Sequence, residues 1–493
     1  MRRLFISFFL LFAVTTVTKA QYDIIPMPQK ITFDKKGRTL IVNATTATMD
    51  KINADIANPE GWRITVDKKG ITIESSTEAG IFYGHQALRQ VMASKPDTLP
   101  FAVIESSPRF AYRGMHLDIC RHYFPKEVVK QYIDMLALHG MNTFHWHLSD
   151  DQGWRIEIKK WPKLTEVGAW RQRTVIGRNM GLYDYTKHGG YYTQDDIREV
   201  VAYAAERHIT IIPEIDMPGH MVAAVTAYPE LGCTGGPYEV WPDWGVSDDI
   251  LCAGNPRVYQ FLEDVLTEVM QLFPSTIIHL GGDEAPKVRW KACPRCQQKM
   301  KEEHIDNEEH LQGYMVRRME QLLSRNGRRI MGWDELQDCQ VPTTSTVIMS
   351  WRDWKGVPDP AEKGFDVVRT PNSTLYFDHY QTPATAWSNT LLFGGNAPLE
   401  KVYRYEPAPD TLSQEAQAHV IGVQANLWTE YIAYPELIEY QVLPRMAALA
   451  EVQWLRPGQK DYDSFLRRLP RLLSIYRQEG WQYCGYEMEK WRN

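Results

Sequence analysis

Thr276-Ile277-Ile278-His279-Leu280-Gly281-Gly282-Asp283-Glu284 begins as an apolar run and ends in two adjacent carboxylates. The run predicts a buried strand over Thr276–Leu280. Unpaired charge is costly to bury, so a buried strand does not normally finish in an Asp-Glu pair. A solvated loop carrying two acids is the bland alternative. Two carboxyl groups in one pocket take different pKa values, which suits acid–base chemistry at a strand end. Neighbouring residues on a regular strand point to opposite faces. Asp283 and Glu284 can therefore share a pocket only if the chain breaks or bulges there.

Outward from this stretch, further strand candidates lie at Gly114–Ile119, Thr143–Leu148, Thr210–Ile215, Arg329–Trp333, Val347–Trp351, Asp366–Thr370 and Val420–Leu427. Helical periodicity separates most of them, over Lys126–His139, Gln194–Arg207, Val258–Phe273 and Glu308–Ser324. Thr193 and Asp196 form a capping-box pattern at the second of these. Strands alternating with helices imply a parallel sheet, and eight such units imply a closed (β/α)8 TIM barrel over residues 109–455. The surplus length lies in loops 152–192, 221–255, 285–305 and 373–415, all on the side where barrel active sites sit. Residues 21–108 read as a small α+β domain. In it a hairpin turns at Lys68-Lys69-Gly70 and a helix runs from Glu78 to Met92. Residues 456–493 read as a C-terminal helical segment packing on the barrel.

A chain of 493 residues with 44% hydrophobic and 24% charged residues is that of a soluble globular protein. Its net charge of −6 gives no reason to expect nucleic acid as a partner. Met1-Arg2-Arg3, the apolar run Leu4–Val14 and Thr18-Lys19-Ala20 read as a signal peptide over 1–20, too short to span a bilayer. Export to the periplasm or the medium is expected, with no membrane span. Export permits disulfides, and Cys233 with Cys252, flanking one Gly/Pro/Trp-rich loop, is the expected pair. Cys293-Pro294-Arg295-Cys296 is a lone Cys-x-x-Cys. Zinc would need two more ligands and no second such pair stands nearby, so neither metal nor cofactor is expected.

The strand ends carry Arg121 and His122, Asp150 and Asp151, Asp216 to His220, Asp283-Glu284, Trp333-Asp334-Glu335, Trp351-Arg352, Tyr376 and Asp378, and Trp428-Thr429-Glu430. Acids, an arginine, a histidine and three tryptophans converging on one face describe a polar pocket with aromatic walls. A sugar ring needs such a pocket, with hydrogen bonds around its equator and apolar packing on its faces.

These residues resemble the glycoside hydrolase family 20 β-N-acetylhexosaminidases. The resemblance covers nearly the whole mature chain. It includes Ile25-Pro26-Met27-Pro28-Gln29, Gly80 to Gly84, Arg113-Gly114, Asp118 to His122, His145 to Gln152, Asp216 to His220 and, most diagnostic, His279 to Glu284. It implies an exo-acting, retaining and substrate-assisted enzyme that releases terminal β-linked GlcNAc or GalNAc from a glycan or glycoconjugate. In that mechanism the substrate's acetamido oxygen attacks the anomeric carbon to give an oxazolinium. It further implies Glu284 as general acid and base, and Asp283 as the group that orients the acetamido N–H. Tyr376 would hold the acetamido oxygen, and Trp333, Trp351 and Trp428 would box the ring. Arg121, Asp378 and Glu430 would bind hydroxyls, and His220 with Asp150 would support the acid, with Asp151 the alternative to Asp150. The alternatives are an enzyme of the same fold releasing a disaccharide such as lacto-N-biose, and an inactive glycan-binding barrel. A double-carboxylate glycosidase would need a partner for Glu284 about 5–5.5 Å away across the ring.

Overall fold

The structure, a computed structural model, describes residues 22–352, 359–383 and 391–492. The expected signal peptide lies outside the described residues.

The N-terminal part is a five-stranded sheet covered by one helix. Its strands are β1 (Lys30–Phe33), β2 (Thr48–Ile52), β3 (Trp62–Asp67), β4 (Gly70–Ser75) and β5 (Ala102–Ser106), in the order β1-β5-β3-β4-β2. The β3–β4 hairpin pairs Asp67 with Gly70, as the Lys-Lys-Gly turn predicts. Helix α1 (Glu78–Met92) is capped by Thr77, whose side chain accepts from the Gly80 N–H. Ile81, Leu88 and Val91 on its apolar face meet Ile64, Val66, Ile71, Ile73 and Ile104 of the sheet. Arg113, fully buried near the start of the first barrel strand, ties this layer to the barrel. Its guanidinium grips Glu60 through two contacts of 2.7 Å, the bidentate geometry that makes Arg–carboxylate pairs strong.

Eight parallel strands close that barrel: β6 (Tyr112–Asp118), β7 (Thr143–His147), β8 (Thr210–Glu214), β9 (Ile277–His279), β10 (Arg329–Trp333), β11 (Thr346–Ser350), β12 (Asp366–Arg369) and β13 (Val420–Ala425). Each of the expected strands is present, with ends within two residues of those expected. Closure is made where Gly422 of β13 pairs with Tyr112 of β6. Helices α2 (Lys126–Leu138), α3 (Gln194–Ala205), α4 (Pro256–Leu272) and, further on, α6 (Glu308–Arg325) form part of the outer layer. The Thr193–Asp196 capping box is made in both directions at α3.

The two-residue period of a strand sorts side chains between layers. Phe144 and Trp146 of β7 face the helices, in the same core as Leu117, Ile211 and Ile278. Met331 and Trp333 of β10, Val347 and Met349 of β11, and Val368 of β12 fill the barrel interior. The C-terminal helix α8 (Tyr462–Glu479) buries Phe465, Leu469, Leu472 and Tyr476 in the main core. Its Arg468 pairs at 2.7 Å with Glu451 of helix α7 (Arg445–Trp454).

Candidate active site

The carboxylate pair sits where regular structure stops. Strand β9 ends at His279, but the chain stays tethered to both neighbours. Leu280 N donates to Met331 O at 2.9 Å, and Met217 N donates to Leu280 O at 3.1 Å. Gly281 and Gly282 then take φ of +63° and +102°, and Glu284 itself takes +47°. A Cβ at Gly281 would stand 1.8 Å from Asp216 Oδ1, the same oxygen that accepts the Gly282 N–H at 3.0 Å. The turn therefore requires glycine for both space and φ. This break is what lets two sequence neighbours face one pocket. His220 is the other left-handed non-glycine residue here, with φ +52°. Such conformations cost on the order of 1–3 kcal/mol and gather at functional sites.

Around this break the strand ends enclose a cavity of about 190 Å³, lined among others by Arg121, His220, Asp283, Glu284, Trp351, Tyr376, Asp378, Trp428 and Glu430. The Trp351 and Tyr376 rings lie nearly parallel, 19° apart with centroids at 6.4 Å. Trp428 stands 6.3 Å from Tyr376. Arg121 lies 4.9 Å over Trp428 and is aimed by Asp118 at 3.2 Å, Asp150 at 3.1 Å and Gln152 at 3.0 Å. Asp283 Oδ1, Asp378 Oδ1 and Glu430 Oε2 are buried without a protein partner among the described residues. Buried polar atoms are rarely left so, and three of them around one cavity suit a polyhydroxylated guest.

His220 organises the acids. Its Nδ1 is 3.2 Å from Asp150 Oδ1 and 3.3 Å from Asp151 Oδ2, and its Nε2 is 3.8 Å from both Asp283 Oδ2 and Glu284 Oε2. Both aspartates thus meet the imidazole, so the choice between Asp150 and Asp151 dissolves. Burial alone would lower the His220 pKa. The Asp150 charge and the close approach of the Asp150, Asp151 and Glu284 carboxylates override it and hold the ring well above the usual range. Burial raises the Asp283 carboxyl well above the carboxylate range, with the nearby Asp216 charge adding to it. Glu284 moves the other way. The His220 imidazole 3.8 Å away outweighs partial burial and lowers it, and its side chain is 44% exposed to the pocket.

Trp333 is buried, 1% exposed, with its ring 5.8 Å from that of Trp428 between centroids. Beneath it lies a layer the sequence reading missed. Glu214, wholly buried at the end of β8, accepts the Trp333 Nε1–H at 2.9 Å through Oε1. The same carboxylate lies 2.5 Å from His147 Nδ1, and 3.0 Å from both His145 and His279. His147 Nε2 continues to Asp150 at 2.7 Å, so one chain of contacts runs from Trp333 to acid support. An acid inside the apolar run Thr210–Ile215 was the available signal. Glu335, one of the strand-end acids, had been given no role. It accepts the Trp351 Nε1–H at 3.2 Å, and burial with the Asp283 charge pushes its pKa to about 8.

The cysteines correct the sequence reading. Cys233 and Cys252 form no disulfide, and all seven cysteines are free. Cys293 and Cys296 are not isolated either: the fold brings Cys233 and Cys252 to them.

A closed parallel barrel that gathers buried acids, a histidine and tryptophans around one small cavity at its strand ends is the architecture of a carbohydrate-processing barrel enzyme. Residues 110–457 match the glycosyl hydrolase family 20 catalytic domain, and residues 35–105 match domain 2 of that family. The chain belongs to glycosyl hydrolase family 20. It is 43% identical over 431 residues to a β-hexosaminidase of Porphyromonas gingivalis, a match covering 85% of this chain and 54% of that protein. It is 40% identical over 423 residues to a β-hexosaminidase of Vibrio furnissii, covering 84% and 67%. The chain thus spans about half the length of the first of these relatives. The crystal structure of a Vibrio harveyi exo-β-N-acetylglucosaminidase in complex with N-acetylglucosamine superposes with a TM-score of 0.82 at 32% identity. That match covers 94% of this chain and 78% of the other.

Proposed function

We propose that the chain is an exo-acting, retaining β-N-acetylhexosaminidase that removes terminal β-linked GlcNAc or GalNAc from glycans by substrate-assisted catalysis. The observation that carries this reading is the Asp283–Glu284 break, which puts both carboxyl groups on one wall of a cavity sided by Trp351, Tyr376 and Trp428. Relatives named β-hexosaminidases support it. A cavity of about 190 Å³ is small beside the ~300–1,000 Å³ of drug-sized sites, which favours one terminal ring over a disaccharide.

In the first step the acetamido oxygen attacks C1 while Glu284 gives its proton to the departing oxygen, and the glycosidic bond breaks. In the second, Glu284 takes a proton from water, which attacks C1 from the vacated face and reopens the oxazolinium with net retention. The nucleophile is already part of the substrate, so the proximity gain is large. Asp283 faces the acetamido nitrogen, where positive charge develops. Tyr376 donates to the acetamido oxygen, and Arg121, Asp378 and Glu430 bind ring hydroxyls.

The proton must be on Glu284 and the negative charge on Asp283 when the bond breaks. A sugar seated over Glu284 removes its water and raises its pKa, while the cation forming beside Asp283 lowers that of the aspartate. The signal-peptide pattern over 1–20 supports export to the periplasm or the medium. Hydrolysis of aryl GlcNAc, aryl GalNAc and aryl lacto-N-bioside, compared side by side, tests the proposal. Turnover of the two monosaccharides only is expected, and cleavage confined to the lacto-N-bioside would overturn it.

A further inference from the structure

Four cysteines from two loops meet beside the barrel mouth. Cys233 and Cys252 lie in the loop after β8. Cys293 and Cys296 lie in the loop after β9, at the start of helix α5 (Pro294–Glu302). Their Sγ atoms all fall within 4.8 Å of one another. Cys233 to Cys296 is 3.8 Å, Cys252 to Cys296 is 3.6 Å and Cys252 to Cys293 is 3.7 Å. A disulfide needs about 2.05 Å. Four thiolates around zinc at a Zn–S distance of about 2.3 Å make a tetrahedron with edges of about 3.8 Å. Three of the six spacings match an edge of that tetrahedron, and all six lie within 4.8 Å. Cys252, Cys293 and Cys296 are buried and Cys233 is half-buried.

We propose that Cys233, Cys252, Cys293 and Cys296 form a closed tetrathiolate site for Zn²⁺ that staples the loop bearing His220 to the loop bearing Asp283 and Glu284. Four protein ligands leave no open position, so the role is structural. Binding is redox-neutral: four thiols bind Zn²⁺ as thiolates, and four protons go to solvent.

The backbone around the cluster is built for close approach. Cys252 N donates to Leu231 O at 2.8 Å, and Gly232 bridges Leu251, which fixes Cys233 and Cys252 side by side. A Cβ at Gly254 would stand 2.2 Å from the Arg295 carbonyl and 2.4 Å from Cys296 N, so only glycine lets this loop lie on the Cys-x-x-Cys turn. Arg295 reaches back to Gly232 O at 2.9 Å, setting a cation beside a centre that would carry two negative charges. Trp290 Nε1 donates to Leu251 O at 2.8 Å, a second tie between the same loops.

The test uses the full chain purified without chelator or reductant. Elemental analysis should find about one zinc per chain. A mercurial thiol reagent should release it, read with a chromogenic chelator. Peptide mapping without reduction should find no linkage among the four cysteines. Cys252→Ser and Cys296→Ser should lose the zinc, whereas Cys484→Ser should keep it. Because a serine variant can fail to fold, cobalt exchange into the unaltered chain provides an independent reading. Tetrathiolate Co²⁺ should give intense visible d–d bands and sulfur-to-cobalt charge transfer. Zinc-free protein with two disulfides among these cysteines, iron in place of zinc, or cobalt spectra of an oxygen- or nitrogen-ligated ion would overturn the proposal.

Discussion

Asp283 and Glu284 each place one carboxylate oxygen 3.8 Å from the same atom, Nε2 of His220. Consecutive residues reach one imidazole from two directions because the strand has already ended at His279 and two left-handed glycines turn the chain. The imidazole lowers Glu284, while burial raises Asp283, so the acids differ before any substrate arrives.

Glu284→Gln should lower kcat by about 10²–10⁴-fold, the range for losing a general acid. The loss should shrink for aryl glycosides with strongly acidic leaving groups, which depart with little protonation. A Brønsted series on enzyme and variant measures it, and an equal loss across the series would argue against the acid role.

Asp283→Asn should lose activity through kcat, since it removes the charge facing the oxazolinium. With the unaltered enzyme, progressive fluorination of the substrate N-acetyl group should slow turnover steeply while the product stays retained. Flat rates, or a sugar ester trapped on an enzyme carboxylate, would favour the double-carboxylate route.

His220→Asn should move the basic limb of the kcat/KM profile to higher pH. The neighbouring His220 imidazole is the main cause lowering Glu284. Without the cation the Glu284 pKa rises, and its proton is kept to higher pH. Profiles across the neutral range test this, and a limb shifted to lower pH would contradict it.

Glu214→Gln should destabilise the barrel by on the order of 3 kcal/mol, because it leaves buried His147, which the Glu214 charge holds well above the usual imidazole range against burial, without its counter-charge. Burial opposes the Glu214 charge, but His279, His147 and His145 hold its pKa well below the usual value. A depressed folded pKa contributes stability that is present above the unfolded value of about 4.3. That contribution is lost as pH falls through the folded pKa. Melting temperature against pH should therefore show an acid-side decline that the variant lacks.

The eight strands, the small domain and the Asp283–Glu284 pair were legible in the chain because each rests on local signals. Those signals are apolar runs of strand length, helical periodicity between them, and glycines before two acids. The sites of Arg121, Tyr376, Asp378, Trp428 and Glu430 at strand ends came from that alternation, since a parallel barrel sends every strand's C-terminal end to one face. Tertiary structure alone decided what depends on distance between loops or on depth. It set Trp333 deep in the barrel against Trp428. It placed Glu214 within reach of three histidines from β7 and β9. It also carried Cys233 and Cys252 to Cys293 and Cys296. Sequence spacing encodes the period of an element, but contact between loops after β8 and β9 exists only once the barrel closes and sets their strands side by side.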